Sequence, residues 1–134
     1  MITEAQLYSL LDSARDIEYL RERIERLRSS LESASPALGR IGSSSSAEPD
    51  KMAANIARLA DMQDELAEKI YGRELLIMQL EGYVAKLPEP ECTVIKLRYV
   101  IGLSWASVAD KVALSVRHCT RLNRKFLRRM KRRP

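Results

Sequence analysis

Apolar residues at seven-residue intervals govern the first two thirds of the chain. Leu10, Ile17, Ile24 and Leu31 form one series, and Ser13, Leu20, Leu27 and Ala34 follow three residues behind. On a helix the two series lie along one side. They make an a/d seam carried over about four heptads, which has to be buried against another helix. A strand alternates with a period of two, so this spacing excludes a sheet here. The spacing predicts one helix from Thr3 to Ala34. Glu22, Arg23, Glu25, Arg26 and Arg28 mix both signs of charge on its outer face, a solvated surface with weak intrahelical pairs.

Ser35 to Pro49, SPALGRIGSSSSAEP, breaks the seam with proline, glycine and four consecutive serines, and reads as a flexible connector. A second helix is predicted from Asp50 to Leu87. Ile56, Ile70, Ile77 and Val84 share one series; Met52, Leu59, Leu66, Leu80 and Leu87 share the other. Gln63 and Arg73 interrupt the seam, and Gly72 is a weak point. The connector is long enough to fold the two helices into an antiparallel coiled-coil hairpin. A lone hairpin buries little surface, so residues 1–87 are expected to pack against the C-terminal part or to self-associate as a homodimer or higher homo-oligomer.

Pro88 to Pro90 ends this region, because proline lacks an N–H and clashes with the preceding turn. Residues 88–134 form the second expected domain. A third helix, Glu91 to Val100, carries Cys92, Ile95, Leu97 and Tyr99. Ser104 is placed to cap a further helix, with Val108, Ala109 and Val112 on one face. Ala113-Leu114 is short enough to be a turn, and Ser115 can cap a last helix whose buried face is Cys119, Leu122, Phe126 and Met130. Two short helices joined by a tight turn are the helix-turn-helix pattern. Val116, Arg117, Thr120 and Arg121 then point outward from the first turns, where side chains reach base edges in a major groove.

Charge supports the same reading. From Leu87 onward there are 12 Lys/Arg against 3 acids, and before it 11 against 15, which together make the net +5 of the chain. A basic excess confined to the segment with the outward-facing helix is the footprint of a polyanionic partner, here double-stranded DNA. The residues expected at the DNA are Ser115, Val116, Arg117, His118, Thr120, Arg121, Arg124, Lys125 and Arg128. The basic end, Arg128-Arg129-Met130-Lys131-Arg132-Arg133, is expected along the phosphate backbone.

The stretch LPEPECTVIKLRYVIGLSWASVADKVALSVRHCTRLNRKFLRRM resembles the fourth region of bacterial sigma factors. Leu97-Arg98-Tyr99, Gly102-Leu103-Ser104, Val108-Ala109 and Ser115 carry the resemblance, over about 45 residues. Ala113 replaces the usual glycine, and Val116 stands where arginine is frequent. With its helical N-terminal part, the chain is similar to phage-encoded late transcription regulators of the ArpU and RinA type. The resemblance implies a sigma-like helix-turn-helix domain, activation of late genes and contact with host RNA polymerase.

Other chemistry finds little support. His118 is the only histidine and lies on the presumed DNA-facing helix, so no catalytic set can be argued around it. The five glycines are scattered and form no phosphate-cradling loop. No metal-ligand spacing occurs, no cofactor is implied, and Cys92 and Cys119 read as reduced core thiols. Trp105 is expected to cover the small C-terminal core rather than to stack on a base. No run is long enough to span a membrane, and MITEAQLYSLLDSARD is too polar for a secretory signal, which points to the cytoplasm. The expectation is therefore an all-α, non-enzymatic, sequence-specific DNA-binding transcription regulator. Two alternatives stay open: a small terminase-like DNA-packaging protein, and a coiled-coil adaptor with a basic binding end.

Overall fold

The heptad spacing is realised as two helices of 38 residues each, α1 (Glu4–Ile41) and α2 (Ala47–Val84). Four shorter elements follow in the computed structural model: α3 (Glu91–Ile95), a π-helical segment (Lys96–Ile101), α4 (Trp105–Val112) and α5 (Val116–Arg132). The structure describes residues 2–41 and 47–132, with side chains for 2–33 and 49–132, and contains no strand among them. The protein is all-α.

The connector expected from Ser35 to Pro49 is shorter. Helix α1 runs on to Ile41 and α2 starts at Ala47; residues 42–46, which include the serine run, lie outside the described residues. Pro36 removes one N–H, while Ala34, Ala37, Leu38 and Arg40 around it are strong helix formers. Pro49 falls in the first turn of α2, where an N–H has no intrahelical acceptor to lose.

The chain divides into two compact units, Met1–Ala14 with Gly72–Pro134, and Arg15–Tyr71. The division expected from the sequence falls instead at Leu87/Pro88. In the Arg15–Tyr71 unit, Leu20, Ile24 and Met62 are buried, with Leu27, Leu59 and Leu66 packed around them. The seam is thus satisfied by two helices of one chain, as the hairpin reading expects. One series is displaced, however. Ile56 is 53% exposed and Gln63 is exposed, while Met62 is buried. The buried series of α2 is Leu59, Met62 and Leu66, with spacings of three and four, so Gln63 never enters the seam.

The first turn of α1 has a complete N-terminal signature. The Thr3 amide donates to Gln6 Oε1 at 2.8 Å and the Gln6 amide to Thr3 Oγ1 at 3.2 Å, a reciprocal capping box. Ile2 and Leu7, on either side of it, are both buried, as in a hydrophobic staple. They join Leu10, Ile77, Leu80, Val84, Ile95, Tyr99, Phe126 and Met130 in one core cluster. Helices α3, α4 and α5 pack on one another over a second cluster, Val94, Val108, Ala109 and Cys119, flanked by Leu97, Trp105 and Leu122. The buried face expected of α5 is observed, with Leu122 half-buried.

Helix α2 stops at Val84, three residues before the expected Leu87, as i→i+3 bonds from Lys86 to Tyr83 and from Leu87 to Val84 tighten the chain ahead of Pro88. The Glu89 carboxylate accepts from the Thr93 amide and hydroxyl, which serves the start of α3 and holds its carboxyl below the usual range. The third helix expected over Glu91 to Val100 is α-helical only to Ile95, then widens into the π segment and closes at Gly102, φ 86°. A Cβ at Gly102 would meet no atom within 4 Å, so this left-handed backbone conformation, not space, calls for glycine.

Ala113 adopts the same left-handed region, φ 58°, at the end of α4; its amide and that of Leu114 both bond Ala109 O. A Cβ in that conformation costs about 1–2 kcal/mol, part of which glycine would return through the greater entropy of its unfolded chain. Ala113→Gly is expected to raise stability by about 0.5–1 kcal/mol in urea denaturation. A loss of stability would show that the alanine turn carries no strain.

Candidate nucleic-acid interface

Helix α5 is held by both ends and by its middle. Ser115 Oγ accepts the His118 amide at 3.0 Å, the cap expected there, and Ser104 Oγ does the same for α4 by accepting from Ser107 N at 3.2 Å. In the middle, the Tyr99 hydroxyl donates to Asn123 Oδ1 at 2.7 Å. Tyr99 is fully buried, and burial pushes its hydroxyl up to about 12, so it remains a neutral donor. Burial also raises the Cys119 thiol; both cysteines are free, and Cys92 is only half-buried.

The residues that carry the sigma-like resemblance do structural work. Arg98 Nη1 donates to Leu103 O at 2.9 Å and its guanidinium lies 4.8 Å from the centre of the Trp105 ring. Trp105 is half-buried against the second core cluster, the covering role expected of it. Arg73, which the seam pattern marked only as an interruption, bonds Leu10 O at 2.6 Å, Ser13 Oγ at 2.8 Å and Val100 O at 2.7 Å. It joins the start of α1 and the end of the π segment to α2. Its position in an apolar series was the sequence signal, but its acceptors are 63 and 27 residues away, beyond the reach of any local pattern.

With its back fixed, α5 presents Arg117, Arg121, Arg124, Arg128 and Lys131 at spacings of four and three, one row opposite the buried face. Of the residues expected at the DNA, Ser115, Val116, Arg117, Arg121, Arg124, Lys125 and Arg128 are exposed. His118 and Thr120 are half-buried, and the Thr120 hydroxyl donates to Arg117 O at 3.1 Å on its own helix, which occupies that donor. The basic end is not one uniform stripe. Arg128 lines a pocket of about 480 Å³ together with Glu4, Arg121, Arg124, Leu127 and Lys131. Arg129 is turned to the other flank, where Nη1 lies 3.5 Å from Oε2 of the buried Glu91. Arg129 and Arg132 share a separate pocket of about 350 Å³ floored by Phe126 and Met130. Arg133 lies outside the described residues.

Among the described residues, no group of His, Cys, Asp and Glu could hold a metal ion, and no helix is long and apolar enough to cross a membrane. Comparison of the chain with protein-family models, with curated proteins and with solved structures finds no match.

Proposed function

We propose that this chain is a sequence-specific DNA-binding transcription regulator in which α4, the Ala113–Ser115 turn and α5 act as a helix-turn-helix. The observation that carries the reading is the exposed cation row on α5, directly opposite the side chains that anchor the helix. A rigid helix with a cationic outer face matches the major groove of a duplex, and arginine near its N-terminus pairs with guanine through two hydrogen bonds. Contacts with phosphates would then fall to Arg124, Arg128 and Lys131 farther along. By its resemblance to phage late regulators, the chain would activate late genes in the host cytoplasm with host RNA polymerase as partner, acting as a homodimer or higher oligomer.

Footprinting on the genome that encodes the protein supplies the site, and Arg121→Ala then tests the reading. Affinity for that site is expected to fall by about 1–3 kcal/mol, with little change on random duplex. Equal losses on both would move Arg121 to the phosphate contacts. Absence of any protected site would overturn the function itself.

A further inference from the structure

We infer that Glu4 stands in for a backbone phosphate in the pocket on α5 and is displaced when a duplex phosphodiester takes its place. This rests on the duplex-binding reading above. Four cations, Arg121, Arg124, Arg128 and Lys131, surround this pocket with a single carboxylate among them. Both oxygens of that carboxylate are engaged, Oε1 by the Tyr8 hydroxyl at 3.2 Å and Oε2 by Lys131 Nζ at 3.4 Å. Of these four cations, three keep no ion pair within the chain among the described residues. A pocket with this excess of positive charge attracts an anion, and a phosphodiester offers two unesterified oxygens where the carboxylate now sits.

The Glu4–Lys131 pair is not needed to hold the first turn. Its side chains are 35% and 72% exposed, and pairs of that kind contribute little. The turn is fixed instead by the Thr3–Gln6 box and by buried Ile2 and Leu7. The carboxylate is therefore positioned by the fold but weakly bound, as an exchangeable occupant requires. It lowers the affinity of the cation row for any duplex and leaves base readout by Arg117 and Arg121 untouched, so it favours correct sites over bulk DNA.

The test uses the full chain and a random-sequence duplex at low salt. Glu4→Gln keeps the shape and the Tyr8 contact, and is expected to bind about 5-fold more tightly. In a Lys131→Gln background the same change should gain only about 2-fold, because no cation is left to be released. Glu81→Gln, which removes an exposed acid of α2 away from the pocket, should change affinity less than about 2-fold. Circular dichroism confirms that each variant is folded. Replacing chloride by inorganic phosphate at constant ionic strength should give no saturable competition. An unchanged Glu4→Gln affinity, an equal gain in the Lys131→Gln background or an equal gain from Glu81→Gln would overturn the inference while leaving duplex binding intact. Saturable competition by inorganic phosphate would overturn it in favour of a free-anion site. Failure of both wild type and Glu4→Gln to bind duplex would remove the function and the inference together.

Discussion

Arg73→Met is expected to destabilise the unit formed by Met1–Ala14 and Gly72–Pro134 by about 3 kcal/mol, a fall of roughly 10–20 °C in Tm. Methionine keeps the length and the helix propensity of the side chain, so packing and local helix stability change little. What is lost is a charged donor set with three short bonds, to Leu10 O, Ser13 Oγ and Val100 O. Bonds to a charged group contribute about 1.5–3 kcal/mol each before the cost of partly desolvating the guanidinium is subtracted. Val100 O sits at the end of the π segment, where carbonyls lack intrahelical donors and a cation is favoured. Chemical denaturation measures the change, and hydrogen exchange at Leu97–Leu103 locates it. A loss below about 1 kcal/mol would show that water replaces Arg73 at little cost.

Neutralising Arg121, Arg124 and Arg128 together, each to glutamine, is expected to weaken random-duplex binding about 100-fold near 0.1 M salt and to make the log–log salt slope shallower by about 2.7, from about 0.9 per lost phosphate contact. The three lie in one row on the exposed side of α5, and none of them pairs with an acid among the described residues, so their removal leaves no buried charge behind. The same triple change at Arg15, Arg21 and Arg26, exposed residues of α1, alters net charge equally and is expected to have little effect. Equal losses from the two triples would assign binding to net charge alone, without the α5 row. Arg129 is excluded from the set because it partners buried Glu91, and its loss would strand a carboxylate whose Oε1 already has no partner.

Local patterns carried most of the elements. Ser104 and Ser115 were legible as caps because a hydroxyl before an apolar-periodic run has one common use, and the structure places both side chains on the expected amides. The Ala113-Leu114 turn and the buried face of α5 were legible from spacing for the same reason. The Thr3–Gln6 box was equally readable and was passed over, since the heptads drew attention farther along. The length of the connector was misjudged because glycine, proline and serine argue against helix only on average, while a long helix already nucleated extends at little cost per residue.

By itself, the sequence determined an all-α chain, two long helices with facing seams, and a basic last helix whose cations lie opposite its apolar residues, because all of these follow from periodicity and capping within a turn or two. Only the tertiary structure decided which seam residues are inside, such as Met62 in place of Gln63, and what the isolated polar residues do. Arg73 reaching Val100, Tyr99 reaching Asn123, Arg129 pairing with Glu91 and Glu4 entering the cation row are contacts between residues far apart in the chain. Such contacts depend on how helices are brought together to bury their apolar faces, and no spacing along one helix encodes them.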